Sequence, residues 1–400
     1  MSPPAVRLPN RSIATLALLP VVAAAAYSAQ LTWLPPLPGE SGSDGAIDIS
    51  ADGRTVLGAS GGKPTVWRDG EPIQLIAPDP YTRINAYGLS PEGDRAVGQV
   101  NQPFNIGGTT QPDPRGLTIP IGIDGSGPID INTPINTQSF GTERAVIWDS
   151  LSEPATVLEL PSQAPTSPSI IPDAFELSSD GALIIGSYPV DGQGAFWTGD
   201  GSGWNAMIPG TPNFAYDVSA DGVVGGTAGD QAFRWTPADG VEYLGELPGG
   251  DTFSTVWGVS NNGRYLVGSS ATEFGFETFL WEESTGMRSL NSILPGSDNG
   301  SLTPNAVSDD GIIVGMDRFR AFLWSPNRGL GYLDELVELE EGEQLIAATA
   351  ISADGRTIAG SGSRGAFTIA VAIPEPGAAL LFVAGASLVA RPARRSALPR

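Results

Sequence analysis

From residue 31 onward, short apolar runs alternate with a polar turn of fixed form. The form is Ser-x-(Asp/Glu/Asn)-Gly. It recurs at Ser50–Gly53, Ser90–Gly93, Ser178–Gly181, Ser219–Gly222, Ser260–Gly263, Ser308–Gly311 and Ser352–Gly355. Serine-to-serine spacings are 40, 88, 41, 41, 48 and 44 residues. The apolar stretch after each turn ends in Gly, and Ala-Phe-x-Trp or a near variant follows. That element places Trp67, Trp148, Trp197, Trp235, Trp281 and Trp324 at one repeat position, with Ile369 there in the seventh copy.

The runs are strand-length, and no long 3.6-period run competes with them. In the fourth copy the pattern predicts strands over 215–219, 223–226, 232–235 and 241–244, with Asp221-Gly222 supplying the positive φ of a tight hairpin. A four-stranded unit every 40–45 residues is the period of a propeller blade. The chain therefore reads as an all-β, seven-bladed β-propeller. Its ends explain how the ring closes. Trp33–Gly39 matches Tyr243–Gly249, so the N-terminus supplies an orphan fourth strand. The last copy has three strands, and joining the two completes the seventh blade without exposed edges. An open β-solenoid or two smaller sheets is the other architecture the pattern allows.

The long spacing contains an insertion, roughly 100–143, rich in Asn, Thr, Gly, Pro and Ile. It falls between the second and third strands of its blade, on the face opposite the Asp-Gly turns. Long loops on rigid scaffolds often bind ligands; a hairpin that merely caps the channel mouth is the plainer alternative.

The two ends follow a different logic from the body (30–370). Residues 1–29 read as a secretory signal peptide. Arg7 and Arg11 precede an apolar run from Ile13 to Ala26, and small residues then permit cleavage after Ala26 or Ala29. The run is short of the ~20 residues of a spanning helix. At the other end, in 371–400, Pro374-Glu375-Pro376 precedes an apolar segment at 377–390 and then Arg391, Arg394 and Arg395. Such a segment would enter the inner membrane while the arginines hold the tail in the cytoplasm.

Composition narrows the chemistry. The 400 residues include no Cys and no His, which removes thiolate, Ser-His and most transition-metal chemistry. Net charge is −23, and the terminal segments hold six of the 21 basic residues and one acidic residue, Glu375, leaving the body nearer −28. That surface repels nucleic acid and anionic membranes. It suits solubility outside the cell, and divalent cations such as calcium.

The C-terminal arrangement resembles the PEP-CTERM sorting signal of Gram-negative bacteria, over about the last 27 residues. Pro392 departs from the commonest tails by interrupting the basic cluster. The resemblance implies processing near Pro374–Pro376 by an exosortase, after transient inner-membrane insertion, and release to the cell surface or an exopolysaccharide matrix. A plain membrane anchor has the same flanks. The body resembles the HAF family of extracellular repeats over residues 31 to about 370. That family implies export and repetition, and no established catalytic residues.

Most single features have a structural explanation. The turn carboxylates could be metal ligands, but hairpin geometry accounts for them. The repeat tryptophans could be sugar platforms, but a fixed position beside Ala-Phe predicts packing between blades. Trp204 and Trp257 lie outside that position and are better candidates for an exposed contact. The acidic run Asp334–Glu343 could take calcium, but lacks the spacing of a calcium loop and reads as a solvated connection. No nucleotide-binding or hydrolase motif is present. The expected function is that of an exported surface or matrix binding protein associated with extracellular polysaccharide. A polysaccharide-acting glycoside hydrolase or lyase on the same scaffold is the alternative.

Overall fold

The structure, a computed structural model, describes residues 28–101, 144–158, 173–179, 181–188, 193–198, 204–206, 213–250, 253–273, 275–290 and 302–372. The signal-peptide run, the insertion, the Pro374-Glu375-Pro376 motif, the 377–390 segment and Arg391, Arg394 and Arg395 lie outside them. Among the described residues no helix is long and apolar enough to cross a membrane.

The described strands form seven four-stranded antiparallel sheets, an all-β propeller. In six sheets the strands follow chain order from the innermost outward. The fourth is representative: Asn213–Val218, Val224–Ala228, Gln231–Thr236 and Gly240–Gly245. These are the four predicted strands, displaced by one or two residues at their ends. The seventh sheet differs. Its strands Leu345–Ile351, Thr357–Gly362 and Gly365–Ala372 are completed by Ser28–Trp33. The register of that addition runs from Ser28 opposite Ala372 to Trp33 opposite Phe367.

The turn motif works through its serine. All seven serines are buried. In the first turn Ser50 Oγ accepts the Thr55 N–H and donates to Asp52. The same bond from the returning strand reaches Ser90, Ser178, Ser219, Ser260, Ser308 and Ser352. The hydroxyl thus satisfies an amide that the loop would leave unpaired. One expectation is corrected here. Only the glycine adopts positive φ, as Gly53 does at 75°, whereas Asp52 does not. The aspartate instead accepts the Ser50 hydroxyl and the Arg54 amide.

In five of the seven turns the amide of the residue after the serine ties one sheet to the next. Ala51 N donates to Pro91 O, Ala220 N to Asn261 O, and Asp309 N to Ala353 O.

The core lies between neighbouring sheets. Trp67, Trp148, Trp235, Trp281, Trp324 and Ile369 are buried, the packing role predicted for this position. One cluster joins Leu34, Ala46, Val56 and Trp67 to Ala350, Ala359 and Ala366, so the first sheet packs on the seventh. The indole N–H of Trp67 donates to Pro35 O at 2.7 Å and that of Trp148 to Ile76 O at 2.8 Å. These two buried rings are therefore also polar-satisfied, whereas the buried indole N–H of Trp324 has no hydrogen-bond partner among the described residues.

Each innermost strand carries a β-bulge three residues before its turn serine. The register shifts between Ala46 and Asp48, Ala86 and Gly88, Ala174 and Glu176, Ala215 and Asp217, Val256 and Gly258, Pro304 and Ala306, and Ala348 and Ala350. A bulge re-aims side chains at the point where it occurs.

Candidate functional site: the axial cavity and its aromatic rim

The innermost strands of all seven sheets contribute to one cavity of about 80 Å³. Its wall is one or both of the two residues before each turn serine, together with turn residues such as Ala51, Asn261 and Ala353. The position just past the bulge is Asp48, Gly88, Glu176, Asp217, Gly258, Ala306 and Ala350 around the seven sheets. Three carboxyl groups therefore face a space otherwise lined by small and apolar side chains.

Backbone amides hold these groups. Asp48 Oδ1 accepts its neighbour Ile49 N–H at 2.7 Å, and Oδ2 accepts Leu89 N–H of the second sheet at 2.8 Å. Asp217 repeats the arrangement with Val218 N–H at 2.7 Å and Val259 N–H of the fifth sheet at 2.6 Å. Each aspartate thus ties its innermost strand to the next. Glu176 accepts Leu177 N–H at 3.0 Å and is hydrogen-bonded to Asp48. Among the described residues no arginine or lysine forms an ion pair with any of the three.

Burial without a counter-ion favours the neutral acids. It pushes Asp48 up to about 6 and Asp217 up to about 7. Glu176 is raised well above the usual range by burial and then by the charges of Asp48 and Asp217.

The bulged residue itself, one step further from the turn, forms a rim above the cavity. Around the sheets it is Ile47, Tyr87, Phe175, Tyr216, Trp257, Asn305 and Thr349. Four consecutive sheets, the second to the fifth, place an aromatic ring there. Tyr87 meets Phe175 edge-on at 6.0 Å. Tyr216 lies 4.8 Å from Trp257 and 6.4 Å from Phe214, which stacks on it at 22°. On the other side of the rim Asn305 donates to Ala348 O and Thr349 to Ala46 O, beside the exposed Ile47. Phe214 is 43 % exposed and Trp257 38 %, so the contact predicted for Trp257 is open to solvent. The side chain of Trp204 lies outside the described residues.

The acidic run is engaged elsewhere. Arg320 holds Asp334 and Glu335, and Arg364 holds Glu340 and Glu343. Among the described residues no group of three or more acidic side chains is placed to hold a metal ion.

No protein-family model matches the chain, and no curated protein sequence matches it. Solved structures of similar shape include YCF48 bound to D1 peptide, with TM-score 0.49 and 10 % identity over 86 % of this chain and 97 % of that one. A second is TolB from Acinetobacter baumannii, with TM-score 0.40 and 13 % identity over 82 % of this chain and 64 % of that one. A third is a chain of the mitotic checkpoint complex, with TM-score 0.48 and 14 % identity over 86 % of this chain and 95 % of that one. These identities are too low to carry a ligand or an activity across.

Proposed function

We propose that this is an exported binding protein of the cell surface or extracellular matrix, a closed seven-bladed ring associated with extracellular polysaccharide. The observation that carries the binding role is the aromatic rim on the innermost strands. Exposed rings on a rigid scaffold offer contact area at little entropic cost. Seven sheets, with the N-terminal strand in the last, support the closed ring.

Export rests on the two chain ends. The tail is processed near Pro374–Pro376 by an exosortase after transient insertion of 377–390 in the inner membrane, and the body is released outside a Gram-negative cell. We place signal-peptide cleavage after Ala26, which leaves the strand Ser28–Trp33 whole. A body near −28 makes nucleic acid an unsuitable partner. The role is binding and not polymer cleavage, because the cavity carboxyls are spent on backbone amides and on each other.

The test is to express the full chain in a bacterium that carries an exosortase and purify it from the surface. Its termini are read by mass spectrometry. Saturable binding to bacterial exopolysaccharides, with no new reducing ends, is the expected result. New reducing ends would replace this reading with an enzyme, and failure to bind any polysaccharide would overturn the partner class.

A further inference from the structure

We propose that the outer edge of the strand Ser28–Trp33 takes an extended, basic segment of a partner protein, added as a fifth strand to the seventh sheet. This goes beyond the polysaccharide reading and stands apart from it, because the rim lies on the innermost strands and this edge is the outermost of its sheet.

The edge is open and ready to pair. Leu34 N–H donates to Ala366 O at 2.9 Å, and the register back to Ser28 opposite Ala372 is unbroken. Hydrogen-bonded pairs alternate along an antiparallel ladder, so Ser28, Gln30 and Thr32 turn their backbone groups toward Gly365–Ala372. Ala29, Leu31 and Trp33 turn theirs outward. Ala29 and Leu31 line a groove of about 540 Å³ whose other wall is Glu335, Leu336, Val337 and Glu338. Among the described residues no strand lies beyond Ser28–Trp33 in its sheet. Propellers keep such outer edges short or guarded. Here Glu71–Gln74 carries Pro72, Gly240–Gly245 carries Glu242 and a register shift against its neighbour, and Gly286–Ser289 carries Arg288. Thr156–Val157, Trp204–Ala206 and Gly329–Tyr332 are four residues or fewer. Ser28–Trp33 has six residues and no charge, proline or shift.

Charge selects the occupant. Arg320 is shared by Asp334 and Glu335, and Arg364 by Glu340 and Glu343. Glu338 and Glu341 are exposed and form no ion pair among the described residues. A strand entering the groove therefore meets an uncharged edge on one side and a net negative wall on the other, which attracts arginine or lysine and repels acidic side chains. Main-chain bonds to Ala29 and Leu31 supply affinity, and Leu31, Leu336 and Val337 supply apolar contact. A second copy of this chain fits less well. Its own Ser28–Trp33 brings no cation, and it carries the same carboxylates into the contact.

The experiment uses the full-length protein and a fluorescein-labelled octapeptide of alternating valine and arginine, followed by fluorescence anisotropy. A control peptide carries glutamate in place of arginine. The expected result is saturable binding of the arginine peptide, roughly tenfold or more tighter than the glutamate peptide and weakened by salt. Hydrogen exchange of the Ala29 and Leu31 amides should slow by roughly tenfold or more at saturation. Ala29→Pro removes one outward N–H and leaves the bonds to Gly365–Ala372 in place. Glu338→Lys reverses the charge of an exposed side chain. Each should weaken the arginine peptide by roughly tenfold, with melting temperature checked for both.

Absence of binding overturns the proposal. Equal affinity for the glutamate peptide, or unchanged affinity in Glu338→Lys, overturns the selection of a basic segment. Binding that leaves the Ala29 and Leu31 amides exchanging as before, or that Ala29→Pro does not weaken, places the peptide elsewhere and overturns the fifth strand. Slow exchange of those two amides in the protein alone, with a dimer in sedimentation, puts a second copy on the edge and overturns the partner.

Discussion

The amide of Ala353, in the last turn of the chain, donates to the carbonyl of Ala51, in the first, at 3.0 Å. It is the bond that Ala220 makes to Asn261 at 2.9 Å and Asp309 to Ala353 at 3.0 Å. Chain ends 302 residues apart in sequence thus make a contact that elsewhere joins consecutive repeats. The girdle has two irregular points. Pro91 has no N–H to give. Between the fifth and sixth sheets Asn262 N–H donates to the Asp309 carboxylate instead, at 2.8 Å.

Native-state hydrogen exchange tests this contact directly. The Ala353 amide is expected to be protected to the same degree as that of Ala220, because the two occupy equivalent positions in the girdle. Exchange of Ala353 at the rate of an open loop, with Ala220 protected, would mean that the first and seventh sheets part in solution.

The cavity carboxyls make stability depend on pH. Their folded-state proton affinity is raised, so between pH 4 and pH 7 the folded protein binds more protons than the unfolded chain. Stability then falls as pH rises. The contribution is whole below the unfolded value of 3.8 and is lost through about 6 for Asp48 and about 7 for Asp217. The cost over that window is of the order of a few kcal/mol. Glu176→Gln keeps an acceptor for Leu177 N–H and a donor toward Asp48 while removing one charge. It is expected to raise the melting temperature at pH 8 more than at pH 5. A melting profile from pH 5 to 8 with unchanged slope would show that the three groups do not titrate together.

The turns, the strands, the buried tryptophans and the completing N-terminal strand were all legible, because each follows from local spacing. The rim and the cavity acids were not. In a regular strand Ile47 and Ile49 share a face and Asp48 takes the other. The bulge breaks that alternation, and nothing in strict period two announces it. A signal did exist. Counting back two residues from every turn serine gives Asp48, Gly88, Glu176, Asp217, Gly258, Ala306 and Ala350, a column of acids among the smallest residues. Counting back three gives the rim, of which only Trp257 stood out by residue type. The column could be read only once the repeats were aligned on the serine.

The glycine that ends each apolar stretch is fixed by that same bulge. A Cβ on Gly268 would run into the Thr255 carbonyl and stand 2.7 Å from the Phe279 ring. Gly226 meets Phe214 O and Phe233 in the same way, and Gly315 meets Thr303 O and Phe322. Backbone cannot yield there as a flexible side chain can. Gly268→Ala is expected to cost roughly 2–4 kcal/mol, the range of severe core overpacking. Chemical denaturation measures it. A cost below about 0.5 kcal/mol would mean that the innermost strand shifts freely.

Two buried serines test whether the N-terminal strand is a true fourth strand. Ser254 Oγ donates to Gly245 O at 2.9 Å and accepts Ala232 N–H at 2.8 Å, joining the last and third strands of the fourth sheet to the entry of the fifth. Ser43 Oγ does the same for the seventh sheet and the first, donating to Leu34 O at 3.2 Å and accepting Ala366 N–H at 2.9 Å. The parallel extends to Leu37, whose N–H donates to Ser60 Oγ as Leu247 N–H donates to Ser270 Oγ. Removing either hydroxyl leaves a buried amide and carbonyl unpaired, at about 1–3 kcal/mol. Ser43→Ala and Ser254→Ala are therefore expected to destabilise by similar amounts in urea unfolding. Were the strand Ser28–Trp33 only loosely laid on the seventh sheet, the pair would open without cost, and Ser43→Ala would be neutral while Ser254→Ala was not.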